Sequence, residues 1–364
     1  MKILVYMGHP AHFHLLNGPI RELKKLGLAV TIAMQKKDIL EELLQDAGLP
    51  YHNILSEGRK DNRPGLALGM VKRDLRLWRL CRKERPDLML GTSVELPHVG
   101  KLLGIPVINL NEDDCRAVPL YCKLSYPFST LILAPVSCST GKWEHKTLHY
   151  PGYHELAYLH PRHFTPDPAI LSGHFSLERP FFILRFAQLS AHHDRGKTGI
   201  TAPLAREILA RLRARGPVFI TSQRPLEPEF EPYRFPLPPQ AIHQALYHAH
   251  IYIGDSQTMA AEAAVLGTPS LRFNDFAGRL GYLEELENRY GLTYGIPTNQ
   301  PVRLLQKIDE LLDTPHLKAG WQEKRQQMLM EKIDVCAFLT WLIKDFPGSV
   351  EIMRKNPSYA EHFK

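Results

Sequence analysis

The chain has 364 residues, more than one hydrophobic core normally serves, so two domains are expected. Hydrophobic residues make up 44% and charged residues 23%, the balance of a soluble globular protein, and no stretch approaches the ~18 apolar residues of a membrane-spanning helix. Lys plus Arg outnumber Asp plus Glu 45 to 38, but the whole excess lies between Arg59 and Arg85, which leaves the rest neutral and argues against a nucleic-acid partner.

The opening MKILVYM is too short for a secretory signal and reads as a first strand, Lys2 to Met7. A loop follows, then a helix near Pro19 to Leu26 stopped by Gly27. Ala29 to Met34 is a strand, and Lys37 to Ala47 a helix ended by Gly48-Leu49-Pro50. Leu66 to Glu84 carries apolar residues at 68, 71, 75, 78 and 81, a helical stripe. Strand Asp87 to Leu90, helix Pro97 to Leu103 and strand Pro106 to Leu110 come next. The segment Tyr150 to Pro168, rich in Pro, His and aromatics, reads as an ordered linker.

The rhythm restarts with strand Phe181 to Phe186, helix Pro203 to Arg213 and strand Val218 to Thr221. Helix Ala241 to His248, strand Ile251 to Gly254, helix Thr258 to Leu266 and strand Ser270 to Phe273 follow, and Leu317 to Phe346 is helical. Strands alternating with helices through short Gly- and Pro-marked turns imply parallel sheets covered on both faces. The expectation is an α/β protein of two Rossmann-like domains facing across a cleft. Residues 1–160 form the acceptor side, 161–330 the nucleotide-sugar side, and 331–364 a helical segment packing back on the N-terminal domain. Five cysteines, at 81, 115, 122, 138 and 336 with no Cys-x-x-Cys pair, speak against a disulfide framework or structural zinc and for a reducing compartment, the cytoplasm.

The strongest site signal is the stretch from Ile251 to Pro269, IYIGDSQTMAAEAAVLGTP. A strand ends at Gly254 and a helix of small residues begins within a few positions, capped by Asp255 or Ser256 and stopped by Gly267 and Pro269. Unpaired N–H groups at that start, Gln257 and Thr258 among them, with the helix dipole behind them, suit a diphosphate. Glu262 lies one turn below Thr258, where a carboxylate can accept both hydroxyls of a ribose. An ordinary capped helix packed through Ala260, Ala263 and Ala264 accounts for the same letters equally well.

The block GDSQTMAAEAAVLGTP resembles the nucleotide-sugar loop of the GT-B superfamily, which includes MurG-type glycosyltransferases and non-hydrolysing UDP-GlcNAc 2-epimerases. The segments GHPAHFH, LGTSVELPHVGKLLGIP, GYHELAYLHP and KIDVCAFLTWLI, with that block, resemble an uncharacterised prokaryotic GT-B-like family, a domain of unknown function, over nearly the whole chain. The resemblance implies a metal-independent glycosyltransferase with a UDP-linked nucleotide sugar as co-substrate and no other cofactor. It also implies a carbohydrate or lipid-linked acceptor, as in surface polysaccharide synthesis.

Gly8 to His14 (GHPAHFH) follows the first strand, where a Rossmann fold places ligand contacts. The resemblance points to His9 or His12 as a base; packing, or a metal held by three histidines in six residues, are the alternatives. Glu95 after the strand 87–90, and Glu112 and Asp113 after the strand 106–110, are candidate acid/base or acceptor-binding groups, with helix capping and solvated loop charge as the plain alternative. Arg185 ends an apolar strand and suits bidentate pairing with a diphosphate, or a structural salt bridge. His192, His193, Asp194 and Lys197 follow in a loop expected to close over a ligand. Arg224 sits after the next strand, and His243 falls where GT-B proteins contact the base. Epimerase chemistry is disfavoured: Thr92 stands where those enzymes carry an aspartate, and Leu184-Arg185 where they carry a His-Arg pair, although Glu112 matches their glutamate. The basic helix 66–85, with Lys72, Arg76, Arg79 and Lys83 on one face opposite Val71, Leu75 and Trp78, suits peripheral contact with an anionic membrane, a phosphorylated acceptor or plain solvent.

Overall fold

The computed structural model describes residues 1–55, 63–187 and 199–364, with backbone alone at 63–68. His192, His193, Asp194, Lys197 and the first charges of the basic stretch (Arg59, Lys60, Asp61) lie outside the described residues. The chain divides into two compact units, 1–158 with 332–364, and 159–331.

Unit 1 runs β1 (Lys2–Met7), α1 (Pro10–Lys25), β2 (Ala29–Gln35), α2 (Leu40–Asp46), β3 (His52–Leu55) and α3 (Arg63–Glu84). It continues with β4 (Leu88–Gly91), α4 (Glu95–Leu103), β5 (Val107–Leu110), α5 (Pro119–Ser125), β6 (Leu131–Pro135) and β7 (Thr147–Tyr150). The seven strands pair in the order β3-β2-β1-β4-β5-β6-β7, all parallel. The strands β1, β4, β5 and β6 are buried almost throughout, which is why they read as continuous apolar runs rather than alternations.

Unit 2 contains α6 (Ala169–Ser172), β8 (Phe182–Phe186), α7 (Ala202–Arg213), β9 (Val218–Ser222), α8 (Ile242–His248), β10 (Ile251–Gly254) and α9 (Gln257–Val265). Then come β11 (Ser270–Phe273), α10 (Gly281–Asn288), β12 (Thr293–Ile296), α11 (Pro301–Asp313) and α12 (Leu317–Glu331). Its sheet is also parallel, ordered β12-β11-β10-β8-β9. In both sheets the order reverses beside the first strand, between β1 and β4 and between β8 and β10. Such reversals open a crevice at the carboxyl ends of the strands, where α/β proteins bind ligands.

Three expectations need correction. The loop after β1 is instead the first turn of α1: Pro10 has no N–H to satisfy at a helix start, and the His9 side chain accepts the Ala11 N–H as its cap. The helix over 317–346 breaks at Lys332 to Asp334, because Asp334 caps a new helix, α13 (Val335–Lys344), by accepting the Ala337 N–H. α13 and α14 (Gly348–Lys355) belong to unit 1, and Cys336 meets Gly18 of α1 so closely that a Cβ there would lie 2.8 Å from its Sγ. The linker 150–168 contains fully buried Tyr153, Leu156 and Leu159 and a 3-10 turn, His154–Ala157.

The third concerns α3. Leu77 and Cys81 are its buried positions, while Val71 and Leu75 are exposed. The expected stripe holds at Trp78 and Cys81 but not at Val71 and Leu75, where Arg73 and Asp74 of the same turns meet Glu95 and His98 of α4.

Candidate functional site

In unit 2, β10 delivers Gly254 to the edge opposite Arg185 of β8. A Cβ at Gly254 would stand 2.7 Å from the Arg185 Cβ and would collide with the Tyr252 hydroxyl, so no larger residue fits. Ser256 caps α9, its hydroxyl accepting the Met259 N–H at 3.4 Å. Gln257 and Thr258 form the first turn, and both are only partly covered. From Met259 to Val265 the helix is buried, and four alanines let it lie close on the sheet.

Asp255 does not serve as the cap. Its Oδ1 accepts the Ala187 N–H at 2.6 Å, its Oδ2 accepts the Ile200 N–H at 3.3 Å, and the Asn274 amide donates to its backbone carbonyl at 3.1 Å. Burial pushes this carboxyl's pKa up, and the two N–H groups partly offset that. Arg224 donates from Nη2 to the Ile200 carbonyl at 2.8 Å and lies over the Phe186 ring at 4.9 Å. Both residues brace the backbone that leads into and out of the strand edge.

Glu262, one turn into α9, has its Oε1 3.0 Å from Nε2 of His243 on α8, with both side chains nearly buried. Two residues nineteen apart, each singled out for ligand contact, therefore form one pair. A carboxylate held by an imidazole has fixed geometry.

In unit 1 the ends of β1 and β5 bring together His9, His12, Glu112 and Asp113, with His154 from the turn after β7. His9 Nδ1 accepts the Ala11 N–H and His12 Nδ1 accepts the Gly8 N–H, each at 3.1 Å. Burial, then the nearby charges of His154 and Lys37, pushes His12 down to about 3, so its ring is neutral at physiological pH. Glu112 Oε2 lies 3.4 Å from His154 Nδ1 and accepts the His154 backbone N–H at 3.3 Å. Asp113 is pushed up to about 7, first by burial and then by the Glu112 charge, with His154 pulling the other way.

Glu95 joins a different set. It pairs with Arg73 of α3 beside Tyr6 and His98, and so braces α3 against α4. His154 was missed in the sequence because its partner lies 42 residues away; only its place in the motif GYHELAYLHP marked it. Among the described residues no group of three His, Cys, Asp or Glu side chains could hold a metal, and no helix is long and apolar enough to cross a membrane.

No protein-family model matches the sequence, and no curated protein sequence does. Solved structures do match. The UDP-GlcNAc 2-epimerase from Neisseria meningitidis bound to UDP-GlcNAc is 16% identical with a TM-score of 0.65, over 98% of this chain and 100% of that one. The S. aureus MnaA–UDP complex is 14% identical with a TM-score of 0.68, over 97% of each chain. The spinosyn rhamnosyltransferase SpnG complexed with spinosyn aglycone is 16% identical with a TM-score of 0.61, over 94% of this chain and 100% of that one. With two parallel Rossmann-like sheets and these neighbours, the chain has the GT-B fold that epimerases and glycosyltransferases share.

Proposed function

We propose that the protein is a glycosyltransferase that takes a sugar from a UDP-linked donor and passes it to a carbohydrate or lipid-linked acceptor. The observation that carries the reading is the His243–Glu262 pair behind the capped start of α9 at the end of β10. Glu262 would accept the ribose hydroxyls, held in place by His243. The N–H groups of Gln257 and Thr258 and the Arg185 guanidinium would take the diphosphate, whose negative charge grows as it leaves. Asp255 and Arg224 set the backbone around it. The nucleotide sugar is a co-substrate on this reading, and no resident cofactor is required. The solved neighbours whose names mention UDP or UDP-GlcNAc support UDP as the nucleotide.

The motif segments also support membership of the uncharacterised prokaryotic GT-B-like family. The exposed side of α3, where Val71 and Leu75 lie among Lys72, Arg79, Arg82 and Lys83, supports peripheral contact with the inner face of a membrane and hence surface polysaccharide synthesis.

The test is a thermal-shift panel of UDP-, GDP-, CMP- and dTDP-sugars on the wild type, Arg185→Ala and Glu262→Gln. A ligand at 100 times its Kd adds about 2.7 kcal/mol of stability. A shift with the UDP compounds that both substitutions abolish is the expected result; no shift with any nucleotide overturns the proposal. A second reading, conversion of the UDP-sugar without an acceptor, is favoured by Asp113, a carboxyl raised to about 7 beside Glu112. Product formed from donor alone would select it.

A further inference from the structure

We infer that Arg325, helped by Gln322 and Lys318 on the same face of α12, is a positioning residue for an anion bound at the opposite end of α9. It grips the carboxyl end of that helix and places a buried positive charge there. The inference rests on the diphosphate site proposed above and names what stands behind it.

The sequence leaves the end of α9 short of donors. Gly267 turns the chain in the left-handed region, and its N–H and that of Thr268 return to the carbonyls of Ala264 and Ala263 at 2.9 and 2.8 Å. Pro269, four residues past Val265, has no N–H to offer the Val265 carbonyl. Residues 318, 322 and 325 recur at a spacing that shares one helical face, and each donates here. Arg325 Nε donates to the Val265 carbonyl at 2.9 Å, and Gln322 Nε2 donates to those of Leu266 and Gly267 at 2.9 and 3.1 Å. Lys318 Nζ donates to the Thr268 hydroxyl at 2.7 Å and to the Tyr247 carbonyl, in the last turn of α8, at 2.8 Å. A Cβ at Gly267 would stand 2.6 Å from Gln322 Nε2 and 2.9 Å from Arg325 Cδ, so this grip needs the glycine as much as the turn does.

Packing alone does not account for Arg325. It is 7% exposed, and among the described residues neither it nor Lys318 has a carboxylate within ion-pair distance. A guanidinium keeps its proton in proteins, so a full positive charge lies buried and is answered by carbonyl oxygen. That oxygen belongs to the negative pole of α9, where a cation is favourable. The same charge acts at the other end. It offsets the negative pole and leaves the positive pole at Gln257 and Thr258 to face an anion. The nine residues of α9 span roughly 14 Å, and salt screens little of a path through the interior. At that range one charge changes the affinity for a singly charged group about twofold and for a doubly charged one about fivefold.

The test separates charge from shape. First, without ligand, the thiol introduced by Gln257→Cys is alkylated with iodoacetamide at neutral pH and read by peptide mass spectrometry. The thiolate is the reacting form, so its rate reports the potential at the start of α9. Adding Arg325→Gln, which keeps a donor and loses the charge, is expected to slow the reaction about twofold. Arg325→Lys is expected to leave it unchanged, and Gln322→Lys, which adds a charge, to speed it about twofold. The opposite signs of the two changes exclude a general loosening of the fold as their common cause. Next, with Gln257 restored, NMR titrations are expected to show Arg325→Gln weakening UDP about fivefold while uridine, which has no charge, is held as before. Arg325→Lys is expected to bind both as the wild type does. Equal losses for UDP and uridine, an unchanged UDP affinity in Arg325→Gln, or alkylation rates indifferent to these substitutions each overturn the inference. A wild type that binds no UDP overturns the proposed donor site, and the alkylation ratios, measured without nucleotide, still decide whether α12 charges the start of α9.

Discussion

Unit 1 and unit 2 each start a helix directly after a central strand, His9–Pro10 after β1 and Ser256–Gln257 after β10. In unit 2 the polar side chains at this edge are largely consumed by the backbone: Asp255 accepts from Ala187 and Ile200, and Arg224 donates to Ile200. The capped start of α9 and the His243–Glu262 pair lie beside these braces. In unit 1 titratable side chains face one another, and their neighbours push them apart in acidity, Asp113 up to about 7 and His12 down to about 3. An edge that uses side chains to shape backbone suits binding of a fixed anion. An edge that crowds carboxylates and imidazoles suits moving protons.

The comparison can be broken at several places. The largest effect is expected where a charge is stranded. Glu95→Ala leaves Arg73 without its carboxylate in a mostly covered position and should cost about 3 kcal/mol, read as a lower urea midpoint. A normal midpoint would mean that α3 and α4 need no brace and that Glu95 is available for other work. Asp255→Ala should cost about 2 kcal/mol, because the Ala187 and Ile200 N–H groups lose their acceptor. Chemical denaturation of the variant with unchanged stability would contradict the bracing role.

The proton-handling side is tested by pH. Asp113 has its folded-state value raised from 3.8 to about 7, so folding favours the protonated form, and stability is lost as pH rises through that window. Asp113→Asn, neutral at every pH, should therefore melt higher than the wild type at pH 8, by an amount on the order of 1 kcal/mol for a partly exposed group, and show no such gain at pH 4. His12 works in the opposite sense. Its value falls from 6.5 to about 3, so its contribution is lost as pH falls from 6.5, and His12→Gln should flatten that acid limb of a Tm–pH curve. Smallest is Ser256→Ala, which removes the side-chain cap of α9 for about 1 kcal/mol. If Ser256→Ala weakens the UDP shift more than its stability cost explains, the hydroxyl itself touches the nucleotide.

Much of the α/β rhythm was legible in the letters. Buried parallel strands must be apolar along their whole length, so β1, β5, β8 and β10 stand out between Gly and Pro breaks. The short β3, β6, β7 and β12 were passed over. The start and end of α9 were readable because caps and left-handed stops are local: Ser256 and the positive φ of Gly267 need only their neighbours. The helical face of α3 was not, since Arg73 and Asp74 point inward only because Glu95 and His98 are there to meet them. The role of Asp255 depends on N–H groups 68 and 55 residues away, and that of His154 on a carboxylate 42 residues away.

By itself the sequence determined the two parallel α/β halves, the strand ends at which polar groups emerge, and the capped small-residue helix after Gly254. These follow from hydrophobic period, propensity and turn chemistry, all of which act over a few residues. Only the tertiary structure decided which emerging groups meet and which are spent on backbone. Those outcomes depend on distance and burial, and residues remote in sequence acquire both only when the sheet assembles them.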